Sequence, residues 1–405
     1  MKLVRIAVAV TIVAVGAWAA IALSRVDADI GAPAGPDRLV RTLDGGAGAA
    51  IDARSRTETA RDILRQRPVD GRAFRLLAQA ELARSEPDAT RADGFLAIAI
   101  RRAPRDRPAR AAAIDRAFAR GDVAAGMEHL DALLRVAPGV RAEMLQRLAL
   151  LLEHDGIRAA LLARLGQQPN WHGSLVAALK SPQVPAAPAA HLLESLAQQR
   201  PLEAGEVDAL ITLLTRLGRH AEARAAWLQS LPAEARGNRA DSGLFDGGFE
   251  HPAISGGYGW RIAPQPGVSV AYDDVEPFEG AHALALAFAG RAVANLGIEQ
   301  VLALPPGRYR LDLAVENATE AARPFVIEVG CQGGGPALLA LELPAAGRTP
   351  AWQRSGGGFV VPEGACAGQV LRLRYPGRSL AEQLVAGTLR LDAMHLTPER
   401  NARLQ

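Results

Sequence analysis

A chain of 405 residues that is 49% hydrophobic and 22% charged has the composition of folded protein and is too long for one ordinary domain. Its 40 glycines and 26 prolines exclude collagenous and low-complexity classes, and two cysteines exclude a disulfide scaffold or a cysteine-based zinc cluster. The net charge of +3 rests almost wholly on arginine, since lysine occurs only as Lys2 and Lys180; it names no anionic partner and points to no nucleic acid.

Lys2 and Arg5 precede an uncharged, almost wholly apolar run from Ile6 to Leu23, followed at once by Ser24, Arg25 and Asp27. As a helix those residues span about 27 Å, enough for a hydrocarbon core. With the positive flank, this predicts a signal anchor over 1–25 in a single-pass inner-membrane protein, N-terminus cytoplasmic and bulk periplasmic. A cleaved signal peptide with a site near Ala17-Trp18-Ala19 is the competing reading. Residues 26–54, rich in Gly, Ala, Pro and Asp, predict a flexible spacer.

From 55 to 236 the pattern is helical and repetitive. Prolines recur at Pro68, Pro104, Pro138, Pro169, Pro201 and Pro232, at gaps of 36, 34, 31, 32 and 31 residues. Each interval holds two amphipathic stretches divided by a breaker: Ser85 to Asp88, Gly121-Asp122, Asp155-Gly156, Ser181 to Pro188, Gly218-Arg219. The expected unit is a helix, a tight turn, a second helix and a terminating proline. Helix pairs of this size bury their apolar stripes only by stacking, which predicts an all-α solenoid.

In its last pair the phrase Gly218-Arg219, Glu222-Ala223 and Trp227 resembles a tetratricopeptide repeat, as do Phe74, Leu77, Ala78, Ala99 and Pro104 in the first; Gly126 and Leu130 depart from the family pattern. The resemblance implies a protein partner docked in the solenoid groove. Arg101, Arg102, Arg105, Arg107 and Arg110, continued by Arg116 and Arg120, face only Asp106 and Asp115. An ordinary solvated surface and a basic patch for anionic lipid or acidic glycan both remain open for them.

Composition changes at Gly237. Tyr309, Leu311, Leu313 and Val315 alternate with charged residues, as do Leu371, Leu373 and Tyr375, and Leu389 and Leu391. Period-two runs over 242–397 predict an antiparallel sandwich or jelly roll, with 398–405 as a tail. The phrases Leu244-Phe245-Asp246-Gly247-Gly248-Phe249-Glu250, Gly259-Trp260, Glu279-Gly280-Ala281-His282, Pro305-Pro306-Gly307-Arg308-Tyr309 and Leu389-Arg390-Leu391-Asp392 resemble galactose-binding-like jelly rolls used as carbohydrate-binding modules.

That resemblance implies a structural Ca²⁺ on Glu250 and Asp392, with carbonyls near Gly280, as the one cofactor. Two solvated strand-end residues are the equal alternative. Sugar binding needs an aromatic platform, for which Tyr258, Trp260, Tyr272 and Trp352 are available. Core packing is the favoured reading of Trp260 and Trp352, while Gly-rich and acidic neighbours make Tyr258 and Tyr272 the better platforms. Cys331 and Cys366 predict a disulfide closing a loop of about 35 residues, worth about 3–4 kcal/mol on the chain-entropy model; two buried thiols are the alternative.

No nucleophile elbow, phosphate-binding glycine loop or His-Glu-x-x-His helix occurs, and the eight histidines are scattered. Asp273, Asp274, Glu276 and Glu279 read as a solvated turn. The combination of modules resembles accessory proteins of bacterial cell-surface or exported polysaccharide production. It implies a non-catalytic scaffold, with the solenoid docking a protein and the jelly roll contacting a glycan. A pure protein–protein scaffold for envelope assembly or secretion is the runner-up, and a polysaccharide-modifying enzyme built on the sandwich is the third reading.

Overall fold

The computed structural model describes residues 53–236, 243–252, 254–347, 349–364 and 366–399. The expected anchor at 1–25, the spacer up to residue 52 and the tail beyond 399 lie outside them. Among the described residues no helix is long and apolar enough to cross a membrane. The expected single-pass localisation is corrected accordingly: the run 6–23 that carried it is outside the described residues, and nothing within them takes its place.

The chain divides into two compact units between Gly205 and Glu206. The first is helical: α1 (Ala53–Gln66), α2 (Gly71–Leu82), α3 (Ala89–Arg102), α4 (Arg107–Ala119), α5 (Val123–Val136), α6 (Pro138–Ala149), α7 (Asp155–Leu165), α8 (His172–Leu179), α9 (Ala186–Gln199) and the first residues of α10 (Ala204–Arg216). Aspartates start four of them. The carboxylates of Asp70, Asp88, Asp106 and Asp122 accept hydrogen bonds from the backbone N–H of Arg72, Arg91, Ala109 and Ala125 at 2.9–3.2 Å. Each cap satisfies an orphan donor of a first turn, worth about 1 kcal/mol.

The recurrent prolines belong to helix starts more than to helix ends. Pro68 and Pro104 stand two residues before an aspartate cap, and Pro138 is the first residue of α6, where its missing N–H costs nothing. Asp155-Gly156, expected as a breaker, instead opens α7. Arginine supplies the complementary device at the turns. Arg102, Arg110, Arg141 and Arg158 donate to the carbonyls of Pro68, Pro104, Leu134 and Leu152. Arg75 of α2 and Asp106, the cap of α4, form a buried ion pair at 3.2 Å. Removing one member of such a pair costs about 3–5 kcal/mol.

The second unit holds α10 from Glu206 onward, α11 (His220–Ser230), α12 (Ala233–Arg236) and ten strands: β1 (Trp260–Ile262), β2 (Val268–Asp273), β3 (Ala283–Ala292), β4 (Ile298–Leu302), β5 (Gly307–Glu320), β6 (Val326–Cys331), β7 (Leu339–Glu342), β8 (Gln353–Val361), β9 (Gln369–Arg374) and β10 (Leu384–Pro398). A short helix, α13 (Leu380–Gln383), precedes β10. Two five-stranded antiparallel sheets form a sandwich, ordered β1-β4-β9-β6-β7 and β2-β3-β10-β5-β8. The last helical hairpin thus groups with the sandwich, ahead of the composition change at Gly237.

The alternating residues behave as period two requires. Tyr309, Leu311, Leu313, Val315, Leu371, Leu373, Leu389 and Leu391 are all buried in the core between the sheets. Two buried glutamines supply hydrogen-bond partners to backbone outside the strands. The Gln300 amide accepts from the N–H of Phe245 and donates to its carbonyl, and Gln369 does the same for Leu304. A disulfide joins Cys331, at the end of β6, to Cys366, on the loop before β9, its neighbour in the first sheet.

Candidate functional site

The outer faces of the two sheets differ in chemistry. On the first, Arg261, Glu299, Arg372 and Glu328 lie in one cross-strand row. Ion pairs Arg261–Glu299 (3.0 Å), Arg372–Glu299 (3.2 Å) and Arg374–Glu328 (2.6 Å) run through it. Alternating charges of this kind make a solvated face. On the second sheet, alternation with the buried Leu284, Leu286 and Phe288 turns Ala285 and Ala287 outward, beside Ala271 of β2. The β2–β3 part of the face is lined with methyl groups.

The turn 274–282, which joins β2 to β3, is fastened to this sheet by two residues of β10 on the same face. The Arg390 guanidinium donates to the carbonyls of Val275 and Glu276 and pairs with Glu316 at 2.7 Å and Asp273 at 3.2 Å. Two residues on, the Asp392 carboxylate accepts from the N–H groups of Phe278 (2.8 Å) and Glu279 (2.9 Å). The fastened turn presents Phe278 to Trp352, with ring centroids 5.9 Å apart in an edge contact. Arg390 lies over the Trp352 ring at 4.9 Å and Arg354 over Phe278 at 5.0 Å. Trp352 donates its indole N–H to the Glu276 carbonyl at 3.1 Å. Both aromatic side chains are half-buried, so an aromatic and guanidinium cluster stands at one end of a small-residue face.

The other side of the same turn borders an acidic cleft of about 340 Å³, lined by Asp246, Glu250, Glu279, Gly280 and His395 among others. Its shape is imposed by backbone that side chains disfavour. Asp246, Phe249 and Ala393 all have positive φ, and Ala393 lies in a bulge of β10 between Asp392 and His395. The Asp246 carboxylate holds the first loop by accepting from the N–H of Glu250 and His251. Gly280, at φ +72, lies so close to Glu250 Oε1 that a Cβ there would collide with it. Its lack of a side chain lets the Glu250 carboxylate cap the N–H of Ala281 (2.9 Å) and His282 (3.3 Å).

A cation is the group to test against this cleft. A Cβ built on Gly248 would stand 3.9 Å from both Glu250 Oε1 and Asp392 Oδ1, so the two carboxylates border the same glycine. Neither is ion-paired with a basic side chain among the described residues. Burial, and after its three amide hydrogen bonds the charge of Glu250, act on the Asp392 carboxyl, with a net push above its ordinary range. Carboxylate oxygen is the donor type Ca²⁺ takes, and two carboxylates would leave most of its ligands to carbonyls or water. No group of three or more acidic, His or Cys side chains converges among the described residues.

The sequence-derived platforms are placed differently. Tyr258 is 2% exposed and Trp260 3%. Trp260 packs on Phe249 and donates to the Asp246 carbonyl, and Tyr258 lies against Trp227 and His220. Neither offers a face to a sugar: Tyr258, preferred as a platform, is corrected to a packing residue, and Trp260, available as a platform, takes its favoured core reading. Tyr272 is half-buried against the core, and burial, then the Asp246 charge, raises its hydroxyl pKa. Trp352, read as core, is the aromatic on an outer face. Phe278 and Arg354 stand in no sequence motif and Arg390 only in the phrase Leu389–Asp392; an apolar pair, Val275 and Phe278, within an acidic turn is the one sequence signal for this cluster.

In the helical unit the basic residues split. Arg102 and Arg110 cap carbonyls, Arg102 also covers the Phe74 ring at 4.8 Å, and Arg107 reaches the Val136 carbonyl at 3.4 Å. Arg101 and Arg105 are exposed, and Arg101 lines a groove between α3, α4 and α5.

No protein-family model matches the chain, and no curated protein matches it. Among solved structures, TmCBM61 in complex with β-1,4-galactotriose is 18% identical, covering 40% of this chain and all of that one, at a TM-score of 0.28. The CBM22-1 xylan-binding domain from Paenibacillus barcinonensis is 17% identical, over 36% of this chain and 88% of that one, at 0.24. A cyclase from Fischerella sp. TAU is 17% identical, over 38% and 95%, at 0.27. Scores this low carry no inference about this chain, whose two-sheet sandwich is established by its own strand pairings.

Proposed function

We propose that the protein is a non-catalytic binding protein whose sandwich takes a glycan on the outer face of the second sheet, while the helical half, read as a tetratricopeptide-like solenoid, docks a protein. The observation that carries the glycan reading is the half-buried Phe278–Trp352 pair flanked by Arg390 and Arg354. Apolar ring surface beside fixed polar groups is the chemistry a pyranose needs. The scaffold alternative draws support from the burial of Tyr258 and Trp260, which removes two of the expected platforms.

Affinity electrophoresis of the full chain through gels containing neutral or acidic polysaccharides tests the choice. Retardation is expected in at least one gel, and Trp352→Ala weakens it roughly thirtyfold, as truncating an aromatic hot spot of about 2 kcal/mol does. No retardation in any gel favours the scaffold, and retardation that survives Trp352→Ala places glycan binding away from this face.

Glu250 and Asp392, which both accept amide hydrogen bonds from the turn 274–282, would hold a structural Ca²⁺ that offsets their charge. Ca²⁺ at about a hundred times its Kd is then expected to stabilise the fold by about 2.7 kcal/mol. The check is a rise of roughly 5–10 °C in melting temperature, absent in Glu250→Gln and reversed by chelator. An unchanged melting curve on adding Ca²⁺ refutes the metal.

A further inference from the structure

The helical unit carries a second lined cavity that neither the glycan face nor the acidic cleft uses. A groove of about 430 Å³ lies between α3, α4 and α5, lined by Leu96, Ala97, Ile100 and Ala113 on its apolar side and by Arg101, Arg116, Arg120 and His129 on its polar side. Its one acid is Asp93. That carboxylate is already committed twice: Arg116 holds it bidentately at 2.7 and 3.1 Å, and Arg120 reaches it at 2.5 Å. One carboxylate thus faces two guanidiniums, while the exposed Arg101 has no side-chain partner among the described residues. His129 adds no negative charge; burial, then the charge of Arg110, holds its pKa below the ordinary value.

Among its lining residues three guanidiniums thus face one carboxylate beside an aliphatic floor, with Glu128 and Asp122 as the acids nearest His129, in the volume range of small-ligand pockets. Guanidinium forks bind planar carboxylates with paired, charge-assisted hydrogen bonds. We infer that this groove is the docking site of an acidic peptide segment of a partner protein, placing an Asp or Glu carboxylate on Arg101 and Arg120 and an aliphatic side chain on Leu96 and Ile100. This deepens the docking role proposed for the helical half and is independent of the glycan face. Charge complementarity and the narrow aliphatic floor between helices select a peptide over a flat lipid surface or a sugar polymer.

The test uses the full chain on an array of short peptides in which Asp or Glu alternates with Leu or Ile, and on the same array with Asn and Gln in place of the acids. Retention on the acidic array is expected to exceed the amide array, and Arg101→Glu to lower it about tenfold, the loss of one charge-assisted contact. Arg105→Glu, equal in charge change but outside the lining, leaves it intact. Equal retention on both arrays, no retention on either, or equal loss in Arg105→Glu overturns the assignment. So does binding only to phosphatidylglycerol vesicles or to a polyuronate. Retardation in polysaccharide gels stays unchanged in Arg101→Glu, so failure here is separable from failure of the glycan reading.

Discussion

A fragment cut at the change of composition, residues 242–397, will not fold cooperatively, whereas a fragment of residues 206–399 will. The reason lies in α11. Trp227 meets the Phe245 ring edge-on with centroids 4.8 Å apart and lies 6.2 Å from Tyr258. Gly257, at φ +57, runs so close under the indole that a Cβ would stand 2.5 Å from it. His220 packs on Gly368, where no side chain fits, and approaches the Tyr258 hydroxyl at 3.3 Å, while Thr215 supplies that hydroxyl with a hydrogen bond. Cutting at 242 bares Tyr258 and Phe245, both nearly inaccessible in the intact unit. Truncating one buried Trp or Phe costs about 3–5 kcal/mol, so losing the whole contact removes most of an ordinary domain's 5–15 kcal/mol. Within the 206–399 fragment, Trp227→Ala alone should lower the melting temperature by about 10 °C. A sharp calorimetric transition from 242–397 at the temperature of the longer fragment would show that the helices are not part of this fold.

That contact also explains which parts of the molecule the sequence made legible. Strands were readable because one buried face imposes period two: Leu311, Leu313, Leu389 and Leu391 declare their inward side without reference to neighbours. The disulfide was readable because only two cysteines exist, and they pair. Tyr258 misled because its flanking glycines look like loop. They are glycines because the Trp227 ring occupies the space their side chains would take, a constraint set by a helix thirty residues earlier. The face with Phe278 and Trp352 was illegible for a related reason. Its members come from a turn, from the residue before β8 and from β10, brought together by Arg390 and Asp392 fastening the turn, and no local pattern records that. In the helical half the prolines marked helix boundaries but not their direction, since a proline two residues before an aspartate cap opens a helix as readily as it closes one. The arginines, read as surface, are in good part carbonyl caps.

Asp115 gives the helical unit an expected penalty at neutral pH. On sequence it is a counter-charge for the surrounding arginines; in the fold it has no such partner. It is partly buried on α4, one carboxylate oxygen is fully enclosed without a hydrogen bond, and burial raises its pKa from 3.8 to about 7. The folded chain therefore binds this proton more tightly than the unfolded chain does. Below pH 4 the group is protonated in both states and costs nothing. Between pH 4 and 7 the unfolded state ionises first and stability falls, and above pH 7 the whole penalty applies, about 4 kcal/mol at most. Asp70, held low by its Arg72 hydrogen bond, and Glu222 and Glu382, held low by Arg219 and Arg323, act in the opposite sense, so wild type alone does not isolate the effect. The comparison with Asp115→Asn does. That variant should match wild type at acid pH and exceed it by about 2–4 kcal/mol above neutrality, read as the difference between urea melts at the two pH values. If the two proteins lose stability in parallel as pH rises, the carboxylate is ionised at no cost in the fold, and the enclosed oxygen must be satisfied by water.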